Sequence, residues 1–266
     1  MRGGDIAVKR VADVLEAIEQ FAPRQWSEEW DNTGLLAGNA SWRVDRVAVA
    51  LDATIDTMNR AKETGCNCLL THHPLVFEPL RRVDCATPAG RKIELAMEWK
   101  MSVIAAHTNW DRAPLGVNAI LARLLGLRDP QSLVLADQGL FDGCMGDLPA
   151  ETTLKALGEL VRNKWGIAKT EIHAGCKPRP LRRLALCGGS GGGLWPEALT
   201  AGADVFVTAD MKYHQILEAA ENGLAIVSVD HGEMESVSLA DLAGLTHKFS
   251  GLECLVVTDQ GACRQM

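Results

Sequence analysis

Short apolar runs alternate along most of the chain with longer stretches whose apolar residues recur at helical spacing. Residues 47–51, for example, are all apolar, and residues 54–64 follow with the pattern of an amphipathic helix. Short runs of mainly apolar residues are typical of strands buried on both faces. The predicted strands are 47–51, 66–70, 102–106, 184–187, 204–208, 224–229 and 252–257. The predicted helices are 8–18, 54–64, 90–100, 116–125, 152–164, 211–221 and 233–247.

This alternation of strands and helices predicts an α/β protein with two lobes. Each lobe is expected to contain a largely parallel or mixed sheet that helices cover. The least regular stretch, 129–149, is interpreted as a junction between the lobes. We therefore expect a first lobe made of 1–128 plus 223–266 and a second lobe made of 129–222. A chain of 266 residues with 47% apolar side chains is long enough to build both cores.

The hydropathy and charge of the chain exclude several classes of protein. Charged residues make up 23% of the chain and the mean hydropathy is +0.00, which fits neither a disordered protein nor a membrane protein. No apolar run reaches the roughly 18 residues of a spanning helix, so no membrane partner is expected. Acidic residues outnumber basic ones by 34 to 27 without any run of lysine or arginine, so nucleic-acid binding is not favoured.

The cysteines and the N-terminal pattern indicate the compartment. The eight cysteines form no C-x-x-C pair, and several lie in predicted strands, where a reduced cysteine behaves as a small apolar residue. The N-terminal residues lead into an amphipathic stretch and not into the apolar core of a signal peptide. We therefore expect a cytoplasmic protein with reduced thiols.

Histidines stand at the ends of three predicted strands. His72 and His73 follow one strand, His107 follows a second and His231 follows a third. Ligands of α/β sheets bind outside the carboxyl ends of the strands, because loops and helix N-termini converge there. We therefore expect these imidazoles to meet in one site.

Carboxylates stand four residues after two of these histidines. Asp111 follows His107, and Glu235 follows His231. Two residues spaced in this way on a helix project from the same face. A set of imidazoles and carboxylates without thiolate suits Zn, Fe, Mn, Ni or Co. Two such ions held roughly 3.5–4 Å apart would polarise an electrophile and lower the pKa of a shared water.

Each of these motifs also has an ordinary structural interpretation. The adjacent histidines can be two polar loop residues before a rigid proline. His107 and Asp111 can be hydrogen-bonded residues of a loop, and His231 and Glu235 can be solvated residues at the start of a helix. All three interpretations must hold together if there is no metal site, and adjacent imidazoles at one strand end are uncommon without a ligand.

A glycine-rich stretch, 188–193, follows the predicted strand 184–187. Its backbone amides can cradle phosphate, but a plain flexible turn is an equally good interpretation, because the stretch matches neither the Walker loop nor the dinucleotide fingerprint. His214 lies on the predicted helix 211–221, where its side chain either points into a binding cleft or only packs against its neighbours. The candidate phosphate-binding residues are Gly189, Ser190, Gly191 and Lys212.

Several motifs in order along the chain resemble those of a known family. They are THHPLVF at 71–77, GADVFVTADMKYH at 202–214 and VDHGEME at 229–235, together with WDNTGLL at 30–36. Over nearly its whole length the chain resembles the dinuclear-metal-centre hexameric family. That family includes YbgI-type proteins, NGG-interacting-factor-three-like proteins and homologues of GTP cyclohydrolase I type 2. Because no long insertion separates its halves, the chain resembles the short form.

The resemblance implies a metal site and an assembly. The implied ligands of two divalent ions per chain are His72, His73, Asp111, His231 and Glu235. Glu235 would bridge the ions, and His107 would lie beside them as an outer or proton-transfer group. The resemblance also implies two similar lobes and a toroidal homo-hexamer whose metal sites face an internal cavity.

The same resemblance implies an activity. The chain is expected to be a metal-dependent hydrolase of a small nucleotide-like substrate, a GTP cyclohydrolase that opens the purine at C8 and releases formate. His107 or His214 would move protons. The alternative is a metal-containing ring protein that binds nucleic acid or a protein partner without catalysis. Metal storage or delivery ranks last, because the mixed ligand set suits the polarisation of a substrate.

Overall fold

The computed structural model describes residues 8–134, 139–175 and 180–258. The chain divides into two compact units: the first ends at Trp110 and resumes at Leu239, and the second runs over Asp111–Ser238. The lobes expected from the sequence are 1–128 plus 223–266 and 129–222. Each unit has its own sheet and its own helices, so the predicted α/β class with two sheet-based lobes is confirmed.

The described elements follow the predicted alternation along most of the chain. The helices are α1 (Val11–Glu19), α2 (Ile55–Glu63), α3 (Pro88–Glu98), α4 (Thr108–Arg112), α5 (Val117–Leu125), α6 (Leu154–Trp165), α7 (Trp195–Thr200), α8 (Tyr213–Glu221), α9 (His231–Ser236) and α10 (Leu239–Ser250). The strands are β1 (Gly34–Ala37), β2 (Arg46–Ala50), β3 (Cys68–Thr71), β4 (Ser102–Ala105), β5 (Arg128–Val134), β6 (Asp142–Thr152), β7 (Thr170–His173), β8 (Leu181–Leu186), β9 (Val205–Ala209), β10 (Ala225–Val229) and β11 (Glu253–Val256).

The first unit contains a mostly parallel sheet. Among the described residues the sheet has five strands in the order β1-β4-β3-β2-β11, of which β1 alone is antiparallel to its neighbour. Val47, Leu69 and Ile104 from its central strands have no exposed surface. Burial of both faces explains why these strands read as apolar runs in the sequence. Helices α1 and α10 pack against each other in the same unit.

The second unit contains a mixed sheet. Within the described ranges its six strands follow the order β5-β6-β8-β9-β10-β7. The three strands β8, β9 and β10 run parallel, and the remaining pairings are antiparallel. Phe206, Leu224 and Ile226 belong to its apolar core and have no exposed surface.

The parallel strands of both units end next to polar residues. Within two residues of their carboxyl ends, β2, β3 and β4 are followed by Asp52, His72 and His107. In the second unit, β9 and β10 are followed in the same way by Asp210 and His231, and β8 is followed by the glycine-rich stretch that begins at Gly188. Because parallel strands end at one edge of a sheet, each unit gathers its polar residues at a single edge.

The stretch 129–149 was expected to be irregular, and this expectation is wrong. Its described residues include most of β5 and of β6, which pair in antiparallel fashion. Strand β5 lies at the edge of its sheet, and its first four residues are exposed. An exposed edge strand lacks the apolar run that reveals a buried strand, and it tolerates the proline at position 130.

The single helix expected at 233–247 is two helices. Helix α9 ends at Ser236 and α10 begins at Leu239. Between them the Ser238 hydroxyl donates to the Glu235 carbonyl oxygen at 2.8 Å, and the Ser238 amide donates to the same oxygen at 3.0 Å. A serine hydroxyl competes in this way for helical carbonyl groups, which favours a break in the helix.

The longest helices among the described residues, α6 and α10, have 12 residues each. None of the helices described there is long and apolar enough to cross a bilayer.

Candidate metal centre

The first unit brings three histidines together, and we call them the first ligand set. His72 and His73 follow β3, and His107 lies just beyond the neighbouring strand β4. One ring nitrogen of each histidine lies within 4.8 Å of the others, which is close enough for all three to reach one ion. The backbone of this edge is fixed by strand pairing, because the His72 amide donates to the Ala50 carbonyl oxygen at 3.0 Å.

The adjacent pair of histidines is oriented by oxygen acceptors. The Nδ1 atom of His72 lies 3.1 Å from the Ala106 carbonyl oxygen, and the Nδ1 atom of His73 lies 2.9 Å from Asp52 Oδ1. A carbonyl or carboxylate oxygen only accepts hydrogen bonds, so Nδ1 carries the proton in both rings. In the neutral imidazole the lone pair is then on Nε2, which is the arrangement found around metal-binding histidines.

His107 is held in the same way by Asp31. Its Nδ1 atom lies 2.8 Å from Asp31 Oδ1, and the other carboxylate oxygen accepts hydrogen bonds from the amide and the hydroxyl of Thr108. The side chain of Asp31 has 0% exposed surface. Burial alone would raise the pKa of Asp31, but the hydrogen bonds from His107 and Thr108 outweigh it and lower the pKa to about 2. Asp31 therefore remains an anion that fixes the His107 ring.

The second unit carries the other predicted ligands, which we call the second ligand set: Asp111, His231 and Glu235. Helix α9 places His231 and Glu235 one turn apart, so that His231 Nε2 lies 3.0 Å from Glu235 Oε2. A carboxylate oxygen of Asp111 lies within 4.8 Å of one of Glu235. Glu235 is 2% exposed, so its charge is held in a dry environment.

His231 also has a carboxylate on its far nitrogen. Its Nδ1 atom lies 2.6 Å from Asp210 Oδ2. The hydrogen bond with Glu235, the charge of Glu235 and the bond with Asp210 raise the pKa of His231 to about 9, although burial acts in the opposite direction. A site with this excess of negative charge favours a cation, and in the absence of a metal His231 carries a proton.

The glycine-rich stretch contacts the second ligand set. Gly189 has a positive φ of 64°, and a Cβ atom there would lie 2.2 Å from Glu235 Oε1. Ser190 is exposed, whereas Gly191 is buried and its amide donates to Thr208 Oγ1 at 3.1 Å. The amide of Gly191 is therefore used inside the protein. Gly189 and Ser190 are also predicted phosphate-binding residues. Among the described backbone hydrogen bonds, neither of their amides is a donor.

The two remaining predicted residues lie where α8 begins. Lys212 precedes the helix and is exposed, and His214 in its first turn is also exposed and contacts the Tyr213 ring. A Cβ atom at Gly192 would lie 3.2 Å from the Met211 Cα atom, so the glycine-rich stretch packs against this helix start. The glycine-rich stretch thus packs against Met211, the residue directly before Lys212. Among the contacts of the described residues, His214 has one with the Tyr213 ring and none with either ligand set.

Three functional candidates were missed by the sequence analysis: Asp31, Asp52 and Asp210. Each accepts a hydrogen bond from the Nδ1 atom of one of the candidate ligands. Asp52 and Asp210 lie within two residues of strand ends, so the rule that singled out the histidines applies to them as well. Asp210 has a further signal in its backbone, a positive φ of 52° in a residue other than glycine.

The donor atoms fit a divalent transition metal. The candidate metal-binding groups among the described residues contain imidazole nitrogens and carboxylate oxygens but no thiolate, which suits Zn, Fe, Mn, Ni or Co. Cys187 lies near this chemistry, but its thiol stays protonated, because burial and then the charges of Asp111 and Glu235 raise its pKa. The oriented imidazoles and the dry carboxylate are those a metal site requires.

Known proteins with this fold were then compared with the chain. A protein of Clostridium acetobutylicum named GTP cyclohydrolase 1 type 2 homolog is 30% identical over 258 residues, which cover 94% of this chain and 96% of that protein. The crystal structure of Staphylococcus aureus protein SA1388 matches with a TM-score of 0.87 at 25% identity, covering 97% of this chain and 99% of that one. Reduced HcgD from Methanocaldococcus jannaschii matches with a TM-score of 0.81 at 27% identity, covering 95% and 99%.

The family predicted from the sequence motifs is confirmed by a match to a family model. The model of the Duf34/NIF3 (NGG1p interacting factor 3) family matches residues 9–260. The match covers almost the whole chain, both units included, and the solved relatives share the fold. The chain belongs to the Duf34/NIF3 family.

Proposed function

We propose that the chain is a metal-dependent hydrolase with a dinuclear metal centre that acts on a nucleotide-like substrate, as a GTP cyclohydrolase. The observation that carries the proposal is the shared orientation of four imidazoles, each of which has its Nδ1 atom bonded to an oxygen acceptor. His247 also has its Nδ1 atom 2.7 Å from a carbonyl oxygen, that of Leu252, but it belongs to none of the candidate metal-binding groups among the described residues. The four imidazoles combine the bond with membership of those groups, as metal-binding histidines do. The proposed ligands of the two ions are His72, His73, Asp111, His231 and Glu235.

The ligand sets have complementary chemistry. From the first set His72 and His73 would supply neutral imidazoles, and the second set adds two carboxylates, whose negative charge offsets that of the cations. Glu235 has two oxygen atoms and is proposed to bridge the ions. Such ions, when bound, would act as Lewis acids and make water nucleophilic at neutral pH.

The remaining polar residues have distinct roles in this proposal. His107 donates a hydrogen bond from Nδ1 to Asp31, which leaves Nε2 as the atom that can accept or donate a proton, as a general acid–base group requires. Gly189, Ser190 and the ammonium group of Lys212 would bind the phosphates of the substrate. His214 is a second proton-transfer candidate, which the exposed start of α8 leaves accessible to solvent.

The identity of the substrate is supported by a relative and not by the site alone. The Clostridium protein carries the name GTP cyclohydrolase 1 type 2 homolog. For this chain we therefore propose GTP as the substrate, with hydrolytic opening of the purine at C8 and release of formate. A small substrate is also in keeping with the net charge of −7, which does not favour a broad nucleic-acid-binding face.

The proposal is tested by measuring metal content and formate on the same samples. We expect two ions per chain and formate from GTP in the wild type, and loss of both in Asp111→Ala and Glu235→Gln. The matched control is His173→Gln, because His173 lies in β7, outside the candidate ligand groups. Two ions without formate would refute the cyclohydrolase reaction, and absence of metal after loading would refute the metal centre.

A further inference from the structure

Two aromatic side chains next to the first ligand set are exposed to solvent. Trp30 is 66% exposed and Phe77 is 52% exposed. Large aromatic side chains normally bury most of their surface, because contact of apolar surface with water is unfavourable. Single exposed apolar side chains are common on protein surfaces, but exposed aromatic rings that together border a polar site are typical of a binding surface.

Both aromatic rings contact the candidate catalytic histidine. The Trp30 and Phe77 ring centroids lie 6.0 Å and 5.6 Å from that of His107, in edge-to-face geometry with interplanar angles of 76° and 84°. The Phe77 centroid also lies 6.4 Å from that of His73. The two rings thus border the same histidines from two separate segments of the chain, and we call them the aromatic rim.

The backbone of the aromatic rim is fixed on both sides. Next to Trp30, the buried Asp31 side chain is bonded to His107 and Thr108. The Asn32 side-chain amide then donates to the Val76 carbonyl oxygen at 2.6 Å, directly before Phe77. The segments that carry the two rings are therefore tied to each other and to the histidines. A ligand on the rim would meet preorganised rings, which lowers the entropic cost of binding.

We infer that Trp30 and Phe77 bind the planar heteroaromatic ring of the substrate by stacking, beside His73 and His107. The inference rests on the proposed function, because the ring is that of the nucleotide-like substrate. Stacking on aromatic side chains accepts any planar ring face and adds affinity without specific hydrogen bonds. The aromatic rim is therefore expected to bind a nucleotide more tightly than the same sugar phosphate that lacks the base.

The test compares guanosine 5′-monophosphate with ribose 5-phosphate, which share the sugar phosphate and differ in the ring. Calorimetric titration of the metal-loaded wild type is expected to show at least tenfold tighter binding of the guanosine nucleotide. Trp30→Leu and Phe77→Leu should each reduce this preference about tenfold, whereas Trp30→Tyr and Phe77→Tyr should retain most of it. Leucine keeps an apolar side chain but removes the ring, so this pair of substitutions separates stacking from plain hydrophobic contact.

The controls separate this inference from the proposed reaction. Val83→Ala, at a position 57% exposed, should leave the preference unchanged, and all variants should retain the metal content of the wild type. Equal or undetectable binding of the two ligands by the wild type would overturn the inference. Leucine variants that keep the preference would also overturn it. Leucine variants that change only the mass of the assembly would do the same, because the aromatic rim would then be a contact between copies of the chain. Ring-dependent binding without formate would refute the reaction and leave the aromatic rim in place.

Discussion

At the scale of single residues, the site depends on side chains that would not touch a metal ion. The carboxylates of Asp31, Asp52 and Asp210 accept hydrogen bonds from the Nδ1 atoms of His107, His73 and His231, respectively. Each carboxylate fixes one ring and strengthens the basicity of its Nε2 atom, which makes the ring a better ligand or base. These carboxylates are therefore expected to influence metal binding and stability through the histidines.

The buried Asp31 should stabilise the protein in a pH-dependent manner. The pKa of Asp31 is lowered from 3.8 to about 2, so its contribution is complete above pH 3.8 and is lost as the pH falls through about 2. We expect Asp31→Asn to lower the free energy of unfolding by about 2 kcal/mol at pH 7 and by about half as much at pH 3. Urea unfolding at the two pH values measures the difference.

A matched control for this substitution is Asp45→Asn. Asp45 is half-exposed and forms an ion pair with Arg43 at 2.8 Å, and exposed pairs of this kind contribute roughly 0–1 kcal/mol. A loss in Asp31→Asn that is the same at pH 7 and pH 3 would show that the charge of Asp31 is not the source of its effect.

Metal binding should release a proton from His231. Because the pKa of His231 is about 9 without metal, the ring is protonated at pH 7 and must lose that proton to become a ligand. We expect the release of about one proton per chain at pH 7 and an affinity that rises about tenfold per pH unit until about pH 9. Titration calorimetry in buffers of different ionisation enthalpy measures the release, and a binding heat independent of the buffer would contradict it.

At the scale of elements, strand ends and one turn position the chemistry. The turn after β8 is tightly constrained, because Gly189 combines a positive φ with close approach to Glu235. Only glycine satisfies both conditions without strain or overlap. The glycine-rich stretch is therefore more than a flexible connection, which was the alternative interpretation of its sequence.

Substitution of Gly189 should cost metal binding as well as stability. We expect Gly189→Ala to be destabilised by about 1 kcal/mol for its left-handed backbone and to lose metal, because its Cβ atom would displace the Glu235 carboxylate. The control is Gly166→Ala, where φ is 67° and no atom lies within 4 Å of the added Cβ. Thermal unfolding and metal content of both variants decide the question, and equal metal content in the two would contradict the expected displacement.

Strands could be predicted from the sequence where an apolar run corresponds to burial on both faces of the sheet. The apolar runs at 47–51 and 204–208 predicted β2 and β9 to within one residue at each end, because both strands are covered on both faces. Strand β5 could not be predicted in this way, because its exposure at a sheet edge removes the pattern. The histidines could be singled out by their positions after strands. Their pairing with Asp31, which is 76 residues away from His107 along the chain, depends on tertiary structure that no local pattern contains.

At the scale of the whole molecule, the resemblance implies an assembly of six chains. Such an assembly would have a mass of about six times the 28.7 kDa of one chain. Sedimentation equilibrium at micromolar concentration is expected to give this mass, with and without metal. A mass of one chain over the whole concentration range would contradict the hexamer.

The first unit is assembled from both ends of the chain, and this has a consequence for protein synthesis. Strand β11 covers the edge of β2 in the first sheet, whereas the strands of the second sheet that lie in the described ranges all precede Ser238. On the ribosome, the second unit therefore has its full set of strands while the earlier-made first unit still presents an unpaired β2. Until translation passes residue 256, β2 lacks its partner on that side, and an unpaired strand edge is a site at which chains aggregate.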